Sequence, residues 1–204
     1  MIDLYFAGTA NGQRAAIALE ETGLAYRLHR VDLAKGEQRS PEFLRLNPAG
    51  LIPVIVDSDG PGGKPLTLSQ SAAIVLYCAE KSGKFLPRDP GRRALAMQWF
   101  MQAASDISGT SGTIFRLENT APEKSAANVD YFKKRLLAFF SVCDQALAGR
   151  EFLAGDLSVV DLLLYPNFAA RKALLDQAGG FGNLQRWGTA MAARPGVARG
   201  MNPA

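Results

Sequence analysis

The first 82 residues alternate between two hydrophobic periodicities. Short apolar or β-branched runs, typical of strands, are separated by stretches in which apolar residues recur with the period of a helix. The pattern predicts strands over residues 1–7, 26–33, 52–57 and 65–68, and helices over residues 11–23, 40–46 and 70–81. This βαβ-α-ββα order, in which the last two strands look like a hairpin, indicates a small mixed sheet with helices on its faces.

After a proline-containing segment, the pattern is helical. Two prolines fall within residues 84–90, and we expect 83–90 to link a first domain of residues 1–82 to a second one of residues 91–204. Helices are predicted over residues 91–111, 122–148, 158–177 and 181–193, with a Gly/Thr/Ser-rich break, SGTSGTIFRLEN, after the first of them. The second domain is therefore predicted to be an all-α helical bundle.

One helix start in the bundle has a clear local signal. Ser158 and Asp161 have the spacing of a capping box, in which the hydroxyl takes a backbone amide and the carboxylate reaches back to the Ser158 amide. Asp161 could instead be a catalytic carboxylate, but its place at the start of an apolar helix favours the capping role.

Composition and charge narrow the class of protein. Hydrophobic residues make up 48% and charged residues 21% of the chain, the balance of an ordinary globular protein. The net charge is +4, but basic and acidic residues are mixed, which favours a solvated surface over a partner such as nucleic acid or a membrane. No apolar run predicts a membrane span or a signal peptide, and the two cysteines, Cys78 and Cys143, lie in apolar helical patterns typical of buried thiols. We expect a cytoplasmic protein.

Familiar catalytic sets are missing from the sequence. The single histidine, His29, lies in a strand pattern, and one histidine with two distant cysteines does not supply a zinc site, so no metal is predicted. The sequence has no phosphate-binding loop, dinucleotide-binding motif or nucleophile elbow. These absences favour chemistry in which a bound cofactor supplies the reactive atom.

The first turn from strand to helix is a candidate site for such a group. Thr9 and Asn11 place a hydroxyl and a carboxamide at a helix N-terminus, where unpaired amides favour an anion such as a thiolate. A free thiol has a pKa of about 8.5, and each unit of depression needs about 1.4 kcal/mol of preferential stabilisation. The two side chains could equally serve only to cap the helix, and the turn alone does not decide between these roles.

Two further features point to the same end of the sheet. Ile52-Pro53 enters a strand with a proline, and a cis peptide there would expose the Ile52 backbone to an extended peptide. Gln70-Ser71 lies where a strand turns into a helix, so that side chains and amides are available to a carboxylate.

Three segments together resemble the glutathione transferase superfamily: NPAGLIPVIVD, LTLSQSAAIVLYCAEK and GDLSVVDLLLYP, in that order. The resemblance spans essentially the whole chain. It implies a thioredoxin-like N-terminal domain, an all-α C-terminal domain, glutathione as cosubstrate and a homodimer. The segments FAGTANGQRAAIALEE and SPEFLRLNPAGLIP look most like the bacterial Nu class, which includes glutathione-dependent disulfide-bond reductases.

The resemblance assigns roles to individual residues. Thr9 matches the hydroxyl beside the glutathione sulfur and Asn11 its amide partner, which makes this pair the candidate catalytic residues. The expected glutathione contacts are Gln38 at the glycyl end, Ile52 and the cis-proline Pro53 at the cysteinyl unit, and Gln70 with Ser71 at the γ-glutamyl end. Tyr5 lies too early to match the tyrosine of other classes and is read as structural. Ala10 stands where Beta-class enzymes have a cysteine, which argues against a protein-thiol mechanism.

The residues that line the second-substrate pocket are the hardest to identify from the sequence. The candidates are Phe115 and Arg116. Two positions depart from the family pattern: Leu51 replaces a common lysine, and Asp130 stands where Nu-class members tend to have arginine. The expected function is a glutathione transferase that activates the thiolate for attack on electrophiles or disulfides. The alternatives are a Nu-class disulfide-bond reductase that uses two glutathiones, and a non-catalytic binding module with the same fold.

Overall fold

The four predicted strands form one mixed sheet. Residues 1–204 are all described by the computed structural model. The strands are β1 (Ile2–Phe6), β2 (Tyr26–Arg30), β3 (Val54–Asp57) and β4 (Leu66–Ser69), arranged in the order β2-β1-β3-β4. β1 and β2 are parallel, whereas β3 is antiparallel to both β1 and β4. The predicted β3–β4 hairpin is confirmed.

Three helices follow these strands in the predicted places. They are α1 (Ala10–Thr22), α2 (Pro41–Leu46) and α3 (Ser71–Ser82), with short 3₁₀ turns at Glu37–Arg39 and Pro61–Gly63. The apolar side of the sheet and the helices share a core, in which Leu4, Ile17 and Ile55 are inaccessible to solvent. This βαβ-α-ββα arrangement confirms the thioredoxin-like fold.

The central part of the chain is helical, as predicted. Its elements are α4 (Pro90–Met101), a π-helical segment (Gln102–Ile107), α5 (Ser108–Asn119), α6 (Ala126–Ala146), α7 (Val159–Ala170), α8 (Lys172–Ala178) and α9 (Gly182–Ala192). The predicted helix over 158–177 is divided at Arg171 into α7 and α8. Each helix of the protein is too short or too polar to cross a lipid bilayer.

The predicted break at SGTSGTIFRLEN is wrong, because this stretch is α5. The Thr113 hydroxyl donates to Gly109 O at 2.9 Å, so it is satisfied inside the helix. The small side chain of Ser111 is buried, and Arg171 donates to its Oγ at 2.9 Å and to its carbonyl at 2.7 Å. Packing against small residues thus outweighs the low helix propensity of glycine and serine.

A tenth helix, α10 (Pro195–Met201), was not predicted and lies on α1. The chain forms two compact units, residues 1–86 with 192–204 and residues 87–191, so the division differs from the predicted domain of residues 91–204. The close approach of α10 to α1 requires a glycine at position 200, because a Cβ there would stand 2.5 Å from the backbone of Ile17. Two ion pairs join the helices, Arg199–Glu20 and Arg194–Glu21, both at 2.6 Å.

The predicted capping box at the start of α7 is confirmed. The Ser158 amide donates to Asp161 Oδ2 at 2.9 Å, and Ser158 Oγ accepts from the Val160 amide at 3.3 Å. Asp161 is inaccessible to solvent and has a further partner, the indole Nε1 of Trp187, at 2.9 Å. The carboxylate therefore ties the start of α7 to α9.

A second buried carboxylate, Asp57, joins β3 to α3. It accepts from Tyr77 Oη at 2.5 Å and pairs with Lys81 Nζ at 2.9 Å. Burial alone would raise the pKa of Asp57, but the hydrogen bonds from Tyr77 and Lys81 outweigh it and hold this pKa below its ordinary value.

Removing the Tyr77 hydroxyl should destabilise the protein. We expect Tyr77→Phe to lower the free energy of unfolding by about 1–2 kcal/mol, because a buried carboxylate loses a donor. Because the folded pKa of Asp57 is depressed, the loss should be present at neutral pH and should shrink as the pH falls below about 4. Urea denaturation at neutral pH and at a pH below about 4 measures the two losses of stability. An unchanged midpoint at neutral pH would contradict the prediction. Tyr131→Phe, at an exposed tyrosine, is the matched control.

Candidate functional site

One edge of the sheet brings most of the predicted site residues together. β1 and β2 run parallel, and Val54 at the start of β3 pairs with Tyr5 near the end of β1 and with Ser69 at the end of β4. The segments that leave β1, β2 and β4 and the segment that enters β3 therefore share one edge. Thr9, Gln38, Pro53 and Gln70 belong to these segments.

Thr9 is the N-cap of α1 and also lines a cavity. Its Oγ1 accepts from the Gly12 amide at 3.2 Å, which confirms the capping role. That bond uses a lone pair, so the hydroxyl proton stays available to an acceptor. Thr9 is the one predicted site residue in the lining of a cavity of about 570 Å³. The lining residues are Phe6, Ala7, Gly8, Thr9, Arg30, Val31, Asp32, Leu33 and Glu37.

Asn11 and Ser71 meet at a buried arginine that the sequence pattern does not single out. Arg14 Nη1 donates to Asn11 Oδ1 at 2.7 Å and to Ser71 Oγ at 3.3 Å. Ser71 Oγ lies 3.4 Å from Asn11 Oδ1. Arg14 is 2% exposed, and burial lowers its pKa to about 10, so that the guanidinium is still charged at neutral pH. In the sequence, Arg14 looks like a surface residue of an amphipathic helix. The only local sign that it is buried is its pair of small neighbours, Ala15 and Ala16.

The Ile52–Pro53 peptide bond is cis, as expected. Ile52 is half-buried against a small cluster that includes Phe43 and Val54. Tyr5 packs on the same cluster and stacks on His29, with ring centroids 4.8 Å apart, which fits its structural role. His29 Nε2 in turn lies 2.7 Å from Asp3 Oδ1.

Gln70 has an unusual backbone conformation just before α3. Its φ of 72° and ψ of 111° place a non-glycine residue in a sparsely populated region, which typically costs about 1–3 kcal/mol. Its side chain makes no capping bond and is exposed. Such strain is often retained where a side chain must face a ligand.

Gln38 presents a second unusual feature at the same edge. Its Oε1 is buried, and no protein group donates to it. A buried acceptor without a donor is unfavourable by about 1–3 kcal/mol, and an N–H group of a bound molecule would satisfy it.

The other candidates, Phe115 and Arg116, lie on α5, where Phe115 is 57% exposed and Arg116 Nη2 donates to Thr113 Oγ1 at 3.3 Å.

The two positions that depart from the family pattern are on the surface. Leu51 is 56% exposed, and its carbonyl accepts from Asn47 Nδ2 at 2.7 Å. Asp130 forms an ion pair with Lys134 one turn further along α6, at 2.8 Å.

The protein's own thiols are unsuited to chemistry. Cys78 and Cys143 are both buried and free, as predicted, and burial raises the pKa of each to about 12. The structure contains no cluster of three or more histidine, cysteine or acidic side chains that could hold a metal ion. The arrangement at the sheet edge offers hydrogen-bond donors, helix N-termini and a buried cation, which together suit an anionic, peptide-like molecule.

Comparison with known proteins identifies the family. Residues 10–81 match the glutathione S-transferase N-terminal domain, and residues 93–195 match the glutathione S-transferase C-terminal domain. The disulfide-bond oxidoreductase YfcG of Escherichia coli is 39% identical over 168 residues, which is 81% of this chain and 78% of YfcG. The disulfide-bond oxidoreductase YghU of the same organism is 32% identical over 98% of this chain and 73% of its own.

Solved structures of glutathione transferases match the fold of this protein over nearly its whole chain. A glutathione transferase from Pseudomonas putida, with one glutathione disulfide bound per subunit, has a TM-score of 0.91 and 33% identity over 100% of this chain and 92% of its own. One from Burkholderia graminis, with two glutathione molecules per subunit, has a TM-score of 0.91 and 36% identity over 99% and 88%. The thioredoxin-like sheet, the helical unit and these matches together show that the chain belongs to the glutathione S-transferase family, with Nu-class-like disulfide-bond oxidoreductases among its relatives.

Proposed function

We propose that this protein is a glutathione transferase that activates the glutathione thiolate, with disulfides as its preferred targets. The observation that carries the proposal is a contrast: the sheet edge offers hydrogen-bond donors to an anion, whereas the protein's own thiols are buried. Because Cys78 and Cys143 are buried and have a pKa of about 12, the reactive sulfur has to come from the ligand. The names of the relatives YfcG and YghU, and the glutathione disulfide in the P. putida structure, support disulfides as targets.

Each end of glutathione has a place in this proposal. The Thr9 hydroxyl and the Asn11 amide would donate to the sulfur at the N-terminus of α1. Ile52, before the cis-proline Pro53, would pair its backbone with the cysteinyl unit. The carboxylate of the γ-glutamyl end would bind at the N-terminus of α3, with Gln70 and Ser71. Gln38 would face the glycyl end.

The proposed reaction is two successive thiol–disulfide exchanges. The thiolate of one glutathione attacks a sulfur of the substrate disulfide, so that a mixed disulfide forms and one substrate thiolate leaves. A second glutathione thiolate attacks the glutathione sulfur of that mixed disulfide and releases the second substrate thiolate. The two leaving thiolates take up the two protons of the glutathiones. The substrate gains two electrons, and glutathione disulfide is the oxidised product.

The test combines binding with turnover. We expect calorimetric titration to show binding of both reduced glutathione and glutathione disulfide, and we expect turnover of a dialkyl disulfide to exceed turnover of an aryl halide. Faster aryl-halide turnover would instead make the protein a transferase for electrophiles. Absence of binding at millimolar concentration would exclude both enzymes and leave a binding module with the same fold.

The exposed Leu51 and the ion-paired Asp130 are the features that favour a binding module, since they replace cationic side chains of the family pattern. The expected homodimer also belongs to this proposal, and light scattering of the purified protein checks it.

A further inference from the structure

Arg14 is a buried cation that connects two parts of the proposed site. It lies in the second turn of α1 and is 2% exposed, whereas most arginines reach solvent. A single nitrogen, Nη1, contacts both Asn11 Oδ1 and Ser71 Oγ, at 2.7 and 3.3 Å. Asn11 belongs to the proposed sulfur end and Ser71 to the proposed carboxylate end.

This contact decides which face of the Asn11 amide is available. Oδ1 accepts from Arg14 and lies 3.4 Å from the Ser71 hydroxyl, so the oxygen is turned toward the protein. Asn11 itself is exposed, which leaves the Nδ2 donor as the group that meets a ligand. A donor, and not an acceptor, is what a thiolate requires.

Several charged groups on the elements packed against α1 form ion pairs with other residues. Glu20 and Glu21, in the last turns of α1, pair with Arg199 of α10 and with Arg194, the residue before α10. Lys81, in the last turn of α3, pairs with Asp57. The guanidinium is therefore the fixed charge at the N-terminal end of α1, where it adds to the positive end of the helix dipole.

We infer that Arg14 is a positioning residue for the sulfur chemistry: it orients the Asn11 amide toward the thiolate and holds Ser71 for the carboxylate, and its charge favours both anions. The inference rests on the proposed function. It assigns to Arg14 a part of the thiol activation that Thr9 and Asn11 would otherwise carry alone.

The test measures the pKa of the thiol of bound glutathione from the ultraviolet absorbance of the thiolate as a function of pH. We expect Arg14→Gln to raise this pKa by about one unit, a tenfold loss of thiolate at pH values well below it. The activity at low pH should fall by the same factor and should recover as the pH rises. Arg14→Lys, whose ammonium can replace Nη1, should stay close to the wild type at neutral pH. Arg27→Gln removes the same charge from a strand position with a 67% exposed side chain, and should change nothing.

The outcomes separate the inference from the proposed function. A wild-type protein that binds no glutathione overturns the proposed function. A wild type that binds it, together with a folded Arg14→Gln variant of unchanged thiol pKa, overturns only the role of Arg14. An Arg14→Lys variant as impaired as Arg14→Gln at neutral pH also overturns it, because the side chain would then act by its shape alone.

The lysine variant decides the matter if Arg14→Gln does not fold. Burial lowers the pKa of Arg14 from 12.5 to about 10, and the same desolvation would also lower the pKa of a lysine there. The charge matters at pH values below the thiol pKa, where the lysine is protonated, so we expect the pKa of the bound thiol in Arg14→Lys to stay close to that in the wild type. A folded Arg14→Lys variant in which this pKa is raised by about one unit overturns the inference.

Discussion

Replacing Thr9 with alanine should lower kcat/KM for glutathione-dependent disulfide reduction by about 100-fold. The Thr9 hydroxyl proton is free of the capping bond and is the proposed donor to the thiolate. Loss of a single donor to a developing or bound anion commonly lowers the rate by about 10² or more. Because glutathione keeps its other contacts, its affinity should fall much less, and calorimetry with steady-state kinetics separates the two effects.

The cap that Thr9 also provides requires its own control. Thr9→Ala should lower the free energy of unfolding by about 1 kcal/mol, since the Gly12 amide loses its acceptor. Ser125→Ala removes an equivalent cap, the acceptor of the Asn128 amide at the start of α6, and should leave turnover unchanged. Thr9→Ser should retain both cap and activity. Full activity in Thr9→Ala would remove Thr9 from the catalytic set.

The largest loss of stability is expected for Asp161→Ala, at about 4 kcal/mol. The substitution leaves the Ser158 amide and the Trp187 indole N–H buried without acceptors and opens a small cavity. Urea denaturation measures the change. Asp130→Ala, which removes an exposed carboxylate, should leave the midpoint nearly unchanged. A similar midpoint for both variants would contradict a structural role for Asp161.

The pH dependence of that loss has a definite sign. Burial raises the pKa of Asp161 to about 6, although the hydrogen bonds from Trp187 and Ser158 oppose the shift. Between about pH 4 and pH 6, Asp161 holds a proton in the folded protein but has released it in the unfolded chain. The stabilisation that comes from this proton is therefore complete below pH 4 and is lost as the pH rises through 6. The difference between the wild type and Asp161→Ala should therefore be larger at pH 4 than at pH 7.5. A larger difference at pH 7.5 would show that the hydrogen bonds outweigh burial.

Features that depend on neighbouring residues were predicted well. The capping box of Ser158 and Asp161, the β3–β4 hairpin and the cap at Thr9 all follow from side chains within a few positions of one another. The cis bond at Pro53 was expected partly from the family resemblance.

Features that depend on distant residues were missed or wrong. The partner of Asp161, Trp187, lies 26 positions away, and the burial of Arg14 depends on packing by other elements. The stretch around Ser111 is rich in residues that disfavour a helix in isolation, but Arg171 binds it 60 positions later. The proline at position 195 could have indicated the start of α10, since proline favours the first turn of a helix.

The position of α10 on α1 has a consequence for how the protein is made. Roughly 170 residues lie between the end of α1 and the start of α10, so at about 5–20 residues per second the ribosome needs some 10–30 s to supply the helix that covers Ile17. During that interval the nascent first unit exposes apolar surface to chaperones and proteases. A chain that stops before Pro195 would keep that surface exposed permanently, so incomplete translation products should be recognised and degraded, and not accumulate as half-active fragments.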